Sequence, residues 1–458
     1  MPLPSPLVDE DFLYNGKAPP ALVELGRNLF FDPVLSGNQN ISCGACHDPR
    51  FGTGDGLALG IGEGGSGAGS ERRTEEAVTG RVPRNAPALW NLGAIEVTAM
   101  FHDGRLERMA DNPPRYRVPA GGEDAKEAAS LLAAQAFFPV SSPIEMAGQR
   151  GENVVADAVV EGRLVDAREL LADRVSQIDA YLTLLEVAFN DVNGADDVRY
   201  LHIAEALAAF QADTFRSDNS PFDSVLRTGD RQHLSADAQA GIDLFYGTAG
   251  CAACHSGPLL TDHDFHAIAV PQIGPGKGHG FDKGYWQTSG HMAYLEDEGR
   301  YQVTGDRDDI FAFRTPSLRN VAQSGPWGHS GAFQDLEDMV RHHLDATASL
   351  ANFDATLVPL PQLHSVSEQV GPASATGYDL LSAERKGDFD MRDAWVQASV
   401  STRSRIAEAN DLAPVQLSET EIKQIMAFLE ALTDPEALER GSTVPKQVPS
   451  GLPPQPQR

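Results

Sequence analysis

The chain has 458 residues, a formal net charge of −29 at pH 7 and a sequence pI near 4.7. This acidity argues against nucleic-acid binding, which needs a basic footprint, and it suits either plain solubility or a basic electron-carrier partner. The length predicts two or three domains, and a hydrophobic content of 41% is enough for their cores. No run of about 18 apolar residues occurs, so no membrane span is predicted.

The first predicted elements are an arm and a helix that lead into a cysteine motif. Residues 1–20 are rich in proline and predict an extended arm. Leucines at helical spacing predict a helix over Ala21–Phe31. The letters CGACH follow and provide Cys43, Cys46 and His47. C-x-x-C-H is the attachment motif of c-type haem, in which both thiols bond to the porphyrin and the His binds its iron.

The second half of the chain repeats this order. Leu234-Ser235 begins a predicted helix that ends at the aromatic pair Phe245-Tyr246, and the letters CAACH follow with Cys251, Cys254 and His255. A zinc site or a disulfide is the alternative interpretation, because C-x-x-C alone is common. The His in both copies, the use of all four cysteines and the matching surroundings favour two covalently bound haem c groups in an internal duplication.

Two further helices complete the predicted organisation. Asp196–Phe215 is strongly helical, and a domain boundary is predicted shortly after it. Leu417–Leu432 predicts an amphipathic helix that begins with a capping box of Ser418 and Glu421, as in the last helix of a cytochrome c domain. The predicted division is an arm at 1–20, haem domains at 21–217 and 218–440, and a disordered tail, rich in Pro, Gln and Ser, at 441–458.

The haem motifs also predict a compartment. Covalent attachment of c-type haem takes place on the outer side of the bacterial inner membrane, so a periplasmic location is expected. No signal peptide is recognisable after Met1. We interpret the sequence as a mature form from which an export signal has been removed.

Four short motifs accompany the two haem motifs. In chain order they are Arg84 to Pro87 (RNAP), Phe101 to Arg105 (FHDGR), Pro143 to Met146 (PIEM) and Arg314 to Asn320 (RTPSLRN). With these motifs, residues 20–435 resemble the bacterial dihaem cytochrome c peroxidase family, which includes the MauG enzymes of methylamine utilisation. The resemblance implies a mostly α fold of two cytochrome c-like haem domains with few short strands. It also implies that the first haem reacts with H₂O₂ and the second relays electrons.

The resemblance assigns two side chains to the peroxide site. Glu145 matches the family's distal Glu, and Gln135 lies at the spacing of its distal-pocket Gln. A carboxylate in that place takes a proton from bound peroxide and returns one to the leaving oxygen. The alternative for Glu145 is a surface carboxylate that precedes a helix.

The resting state of the first haem depends on a residue that is missing here. Some members of the family carry a His after the first haem motif that binds the iron until the second haem is reduced. No His occurs between His47 and His102. We therefore predict that the first iron is open, or bears only water, in the oxidised state, as on the MauG side of the family.

The sixth ligand of the second iron is expected from the segment after residues 326–331. The family places a Met, or a Tyr in MauG, at the position of His343, which shares a predicted helical face with Leu336 and Met339. We expect His343 to be the ligand, with Met339 and His329 as alternatives. Two imidazoles stabilise ferric iron more than His and Met do, so a low potential follows.

The region between the haems departs from the family pattern. His102 stands where the family has a Trp, and His is a poorer carrier of an electron hole. Trp90 and Trp327 are candidate substitutes, and the alternative is that both are ordinary core aromatics. The resemblance also implies a bridging hard cation. Asn85 matches its side-chain ligand and Ser324 and Pro326 its carbonyl ligands, an oxygen set that suits Ca²⁺.

Three functions follow from these residues. The first is a periplasmic dihaem peroxidase that reduces H₂O₂ with electrons from a small cytochrome c or cupredoxin. The second is a MauG-like enzyme that uses peroxide to oxidise a Trp or Tyr of a partner protein. The third is a non-catalytic electron-transfer cytochrome, against which Glu145 and the open first haem argue. A monomer and a homodimer are both compatible with the resemblance.

Overall fold

Helices provide most of the regular structure. The computed structural model describes residues 2–74, 78, 81–110, 115–274, 296–361, 396–397 and 399–456. The helices in these ranges are α1 (Pro20–Phe31), α2 (Cys43–Cys46), α3 (Leu131–Gln135), α4 (Val154–Val160), α5 (Leu164–Ser176), α6 (Asp179–Ala188), α7 (Tyr200–Thr214), α8 (Pro221–Thr228), α9 (Ala236–Phe245), α10 (Tyr301–Thr304), α11 (Leu336–Leu344), α12 (Ala346–Asn352), α13 (Val400–Glu408) and α14 (Glu419–Glu430). None of these helices is long and apolar enough to span a bilayer.

The strands are short and form three antiparallel sheets within the described ranges. They are β1 (Gly65–Ser66) with β2 (Arg73–Thr74); β3 (Ala99–Met100), β4 (Leu106–Arg108) and β5 (Tyr116–Arg117) in that order; and β6 (Phe265–His266) with β7 (Phe313–Arg314). The expected mostly α fold with few short strands is confirmed.

Each helix that precedes a haem motif crosses a partner helix at a glycine. α1 packs against α7, and α9 packs against α14. A Cβ atom on Gly26 would overlap the carbonyl oxygen of Ala206, and one on Gly241 would overlap that of Gln424. Only glycine allows backbones to approach this closely. The predicted last helix of the second domain thus has a counterpart, α7, in the first.

The aromatic residues confirm that the two crossings are equivalent. Four residues after each glycine begins an aromatic pair that packs on a Phe of the partner helix. Phe30 and Phe31 lie 5.2 and 5.8 Å, centroid to centroid, from Phe210. Phe245 and Tyr246 lie 5.0 and 6.4 Å from Phe428. The internal duplication therefore extends from the cysteine motifs to the packing of the cores.

Replacement of Gly241 by Ala is expected to destabilise the second domain. The added methyl group must push α9 away from α14, and overpacking of this kind costs about 1–3 kcal/mol. Denaturant unfolding followed by haem absorbance measures the loss. Gly194→Ala is the matched control, because Gly194 has an extended φ of 178° and no atom within 4 Å of an added Cβ. Equal stability of the two variants would show that the close crossing is not required.

The two helical cores meet shortly after α7. Phe215 packs in the core around the first haem motif and Phe222 in the core around the second. Between them, the Ser217 carbonyl accepts a hydrogen bond from Asn91 Nδ2 at 2.8 Å, and the Ser217 hydroxyl accepts one from Asn320 Nδ2 at 2.8 Å. This change of core supports the proposed boundary at 217/218.

The N-terminal arm packs along the first domain. Phe12 is buried, and the Leu13 amide donates to the Gly93 carbonyl at 2.9 Å. The Ile95 amide donates to the Asp11 carbonyl at 2.8 Å. The arm is thus held by backbone hydrogen bonds as well as by its one buried ring.

The prediction of a disordered tail is wrong for residues 441–456. The chain makes a 3₁₀ segment over Pro435–Thr443 and continues across the first domain. Val444 and Val448 are buried, and Val444 belongs to the core around the first haem motif. The prediction was based on the polar composition of this segment. Composition does not show that a few apolar residues, here Val444 and Val448, pack into a core formed by other parts of the chain. Residues 457–458 lie outside the described ranges.

Candidate haem sites

The first haem motif forms a single helical turn at the start of the first site. Cys43 and Cys46 in α2 are free, half-buried thiols, and His47 follows directly. His47 Nδ1 lies 2.9 Å from the Thr53 carbonyl oxygen. A ligating His usually donates its second ring N–H to such a carbonyl, which leaves Nε2 for the metal. Burial lowers the pKa of His47, so the ring is neutral and able to bind iron.

The second motif repeats this arrangement in a 3₁₀ turn. Cys251 and Cys254 are again free thiols, and His255 Nδ1 lies 3.1 Å from the Leu260 carbonyl oxygen. Burial, together with the neighbouring ring of His343, lowers the pKa of His255 to about 4. The imidazole is therefore neutral at any physiological pH.

His343 lies opposite His255. The centroids of the two rings are 6.3 Å apart, and His343 Nδ1 is 2.8 Å from the Met339 carbonyl oxygen. Two metal–nitrogen bonds of about 2.0 Å, plus the distance from nitrogen to ring centre on each side, add up to roughly this separation. The spacing thus fits one iron bound between two imidazoles.

The alternative ligands have other surroundings. Met339 packs in a separate apolar cluster, and its carbonyl holds the His343 ring. His329 is buried against Phe313, with ring centroids 3.7 Å apart and nearly parallel planes. His342, the residue of α11 that precedes His343, has its Nε2 at 2.8 Å from the Ile268 carbonyl oxygen. Of the four candidate or neighbouring side chains, His343 is the one whose ring lies against that of His255.

Glu145 lies in a π-helical turn over Pro143–Ala147. Such turns are rare and are frequently found at functional sites. The turn is attached to the loop after the first haem motif, because the Glu63 amide donates to the Ile144 carbonyl at 3.0 Å. Cys46 Sγ contacts the carbonyl of Ile61 in the same loop at 3.9 Å, and a Cβ on Gly62 would be 2.7 Å from Glu145 Cα. The structure therefore brings Glu145 close to the first haem motif.

Gln135 occupies the last position of α3. Ser130 caps the N-terminus of the helix, and its hydroxyl accepts the Ala133 amide at 3.1 Å. α3 packs against β3 and β4, and β3 leads directly to His102. Gln135 is half-buried, and its carbonyl accepts the Phe138 amide at 3.2 Å. The backbone of Gln135 thus forms the first of the successive turns between α3 and Glu145.

Comparison with known proteins identifies the family. The family model for di-haem cytochrome c peroxidase matches residues 20–232. The methylamine utilization protein MauG of Methylorubrum extorquens is 32% identical over 325 residues, which cover 71% of this chain and 69% of that protein. The chain belongs to the di-haem cytochrome c peroxidase family.

A further relative agrees with this assignment, and two solved structures share the fold. Cytochrome c551 peroxidase of Pseudomonas aeruginosa is 27% identical, with 69% of this chain and 70% of that protein covered. A MauG-like protein associated with microbial copper homeostasis has the same fold, with a TM-score of 0.58, 21% identity and 97% of each chain covered. The diheme peroxidase BthA of Burkholderia thailandensis has a TM-score of 0.56 at 19% identity, covering 95% of this chain and 90% of that one.

Membership of the family means that this oxidoreductase holds two haem c groups. The residues fit them, because each motif offers two free thiols and one neutral imidazole whose Nδ1 is held by a carbonyl. Cys43, Cys46 and His47 would hold the first haem. Cys251, Cys254 and His255 would hold the second, with His343 on its other face.

The three candidates for the region between the haems lie in different environments. His102 Nε2 is 3.1 Å from the Asn85 carbonyl oxygen, and burial lowers the pKa of His102 to about 4. Trp90 is buried in the first core, edge-on to Phe215 at 5.9 Å. Trp327 donates from Nε1 to the Val321 carbonyl at 3.0 Å and packs against two of the apolar clusters. Trp90 has the surroundings of a core aromatic, whereas Trp327 bridges two clusters.

The proposed cation ligands lie on segments that meet between the two domains. The Asn85 amide donates to the His329 carbonyl at 2.9 Å, and Asn85 Nδ2 donates to the Leu57 carbonyl at 2.8 Å. Ser324 lies against Gly52, because a Cβ on this glycine would be 3.0 Å from Ser324 Cα. Pro326 is buried two residues further along. The structure thus brings the loop of Ser324 and Pro326 to the first domain.

A buried salt bridge between the two halves of the chain was not predicted. Arg84 donates from Nε and Nη2 to the Asp297 carboxylate and from Nη1 to Asp103, each at 2.7 Å. Burial alone would raise the pKa of Asp103, but Arg105 and Arg84 hold it well below its usual value. Arg84 and Asp103 belong to recognisable motifs, whereas no sequence signal marks Asp297.

Proposed function

We propose that the chain is a periplasmic peroxidase that reduces H₂O₂ at the first haem with electrons passed on from the second. The observation that carries this proposal is the attachment of the Glu145 turn to the loop of the first haem motif. The electron donor is a small cytochrome c or cupredoxin, and a basic one suits the net charge of −29. When bound, the haem groups supply the redox-active iron at both sites.

The side chains of the first site have separate roles in this proposal. His47 binds the iron through Nε2 and is held in that tautomer by the Thr53 carbonyl. Glu145 accepts a proton from the incoming peroxide and returns it to the departing oxygen. Gln135 orients the peroxide by hydrogen bonding. This division needs an open coordination position on the first iron, in keeping with the absence of any His between His47 and His102.

The second site, which contains two imidazoles, passes electrons on to the first haem. His255 and His343 would hold the iron of the second haem, and the carbonyls of Leu260 and Met339 fix their rings. Trp327 is the proposed carrier of electrons to the first haem, and its packing against both the second core and a neighbouring cluster supports this choice over Trp90. A Ca²⁺ held by Asn85, Ser324 and Pro326 would keep the two domains in register for this transfer.

The reaction of the oxidised protein with H₂O₂ tests the proposed function. Stopped-flow mixing is expected to change the haem absorbance at once, because no His lies between His47 and His102 to bind the first iron. A sample given one electron before mixing is the control. If only this sample reacts, another residue binds the first iron in the oxidised state and the protein is activated by reduction.

A MauG-like oxidation of a partner protein is the second candidate. It is favoured by the missing blocking His and by the 32% identity to a MauG protein. His102 in place of the inter-haem Trp weighs against it. Adding reduced cytochrome c to the peroxide-treated protein separates the two functions. Rapid oxidation of the cytochrome supports the peroxidase, and a persistent absorbance change with no cytochrome oxidation supports the MauG-like activity.

A further inference from the structure

The C-terminal segment 444–456, here called the strap, runs from the second half of the chain onto the first haem motif. It follows α14 and the 3₁₀ segment that ends at Thr443, whose carbonyl accepts a hydrogen bond from Arg27 Nε at 2.7 Å. The Ser450 hydroxyl then donates to Asp32 Oδ1 at 2.7 Å. The chain is therefore held to the middle of α1 just before the strap begins, and the strap is held at the C-terminal end of α1 before it reaches the cysteines.

Gln455 joins the end of α1 to the start of α2. Its backbone amide donates to the Phe31 carbonyl at 2.9 Å, and its side-chain Nε2 donates to the Asn40 carbonyl at 2.7 Å. Its Oε1 accepts the Ser42 amide at 3.0 Å. A Cβ on Gly44 would be only 2.7 Å from the Gln455 carbonyl oxygen. One side chain and its backbone thus hold the residues immediately before Cys43 and cover the turn between the two thiols.

The second haem motif is more open at the equivalent position. Gly44 and Ala45, between the cysteines of the first motif, are both buried. In the second motif Ala252 is buried, but Ala253 is exposed. The thioether side of a c-type haem is the side at which its two cysteines attach. That side is therefore covered by protein at the first motif and accessible at the second.

We propose that Gln455 is a positioning residue for the first haem and that the strap closes the thioether side of this haem, so that external reductants reach it only through the second haem. The proposal rests on the proposed division of roles between the haems. A peroxide site benefits from this arrangement, because electrons then arrive through one route. Gln455 acts through Asn40, Ser42 and Gly44, which flank Cys43 in the chain. It touches neither the peroxide nor the iron.

The variant Gln455→Ala tests the proposal in the full-length holoprotein. It removes two side-chain hydrogen bonds, and the loss of about 1.4 kcal/mol of local stability corresponds to a tenfold larger population of the open loop. Hydrogen exchange at residues 40–46 is expected to accelerate about tenfold. The rate of direct reduction of the first haem by hexaammineruthenium(II), followed at the absorbance of that haem, is expected to be about tenfold higher than in the wild type.

Gln447→Ala is the matched control. Gln447 is an exposed residue of the same strap and is given no hydrogen bond by the structure. This variant should leave both readouts unchanged. A chain that ends at residue 446 should show the same changes as Gln455→Ala or larger ones. It tests the role of the strap even if the strap of Gln455→Ala stays bound without the Gln455 side chain.

The outcomes separate positioning from simple stabilisation. Faster exchange with unchanged reduction of the first haem in both the point variant and the shortened chain would overturn the proposal, because the strap would then be a clip without effect on electron entry. Unchanged exchange in both would overturn it as well. A wild type that fails to reduce H₂O₂ but shows the expected reduction kinetics would refute the proposed peroxidase function and leave the role of the strap intact.

Discussion

Glu145→Gln is expected to lower the rate of H₂O₂ turnover by about 10²–10⁴-fold, the usual contribution of a general acid–base group. The amide has nearly the same shape as the carboxylate but cannot accept the peroxide proton at neutral pH. The π-helical turn over Pro143–Ala147 is held mainly by backbone hydrogen bonds to the Ser142 and Pro143 carbonyls, so the fold should be retained. Steady-state peroxidase assays with a reduced cytochrome c measure the effect.

The matched control is Glu71→Gln, which makes the same chemical change at an exposed position of the first domain. This variant should turn over H₂O₂ at the rate of the wild type. Haem content and the spectra of the oxidised forms should be the same in all three proteins. Full activity of Glu145→Gln would remove this carboxylate from the mechanism and would assign the proton transfer to another group.

His343→Met is expected to raise the reduction potential of the second haem by about 0.1 V or more, within the range of about 0.8 V that axial ligands span. A thioether ligand stabilises ferrous iron more than an imidazole does, so the second haem becomes easier to reduce. The two rings are separated by 6.3 Å in the wild type, and a Met side chain is long and flexible enough to reach the same iron. Spectroelectrochemical titration measures both potentials, and that of the first haem should change little.

Met339→Leu is the control for this assignment. Met339 lies one turn before His343, and its side chain packs in an apolar cluster while its carbonyl holds the His343 ring. Leucine preserves the packing and the carbonyl but removes the thioether. The potential of the second haem should therefore stay as in the wild type. A large change in Met339→Leu, together with no change in His343→Met, would make Met339 the ligand.

The two variants address the two haems independently. Loss of turnover in Glu145→Gln with normal potentials assigns the proton transfer to the first site. A raised potential in His343→Met with a normal reaction of the oxidised protein with H₂O₂ assigns electron relay to the second. A single defect shared by both variants would instead mean that the haems act as one unit, which is the behaviour expected of a MauG-like enzyme.

Local sequence was sufficient for the features that depend on residues close together in the chain. The two C-x-x-C-H motifs predicted the haem sites, and family membership bears out the two haem c groups. The helix at the C-terminal end of the second domain was predicted together with its capping box, and Ser418 and Glu421 form it as expected. Caps and helical faces are set within one or two turns, so a single stretch of sequence contains the necessary information.

Tertiary structure alone decided the features that depend on residues far apart in the chain. Asp297 lies in an acidic run that looks like a solvated surface, yet it is buried because Arg84, more than 200 positions earlier, neutralises it. The strap has the composition of a disordered tail, yet Gln455 finds unpaired backbone groups at Asn40 and Ser42. The opposition of His255 and His343 likewise arises only when the chain is folded. Sequence specifies which groups need a partner, but the partner is determined by which distant segments the packed cores bring within hydrogen-bonding distance.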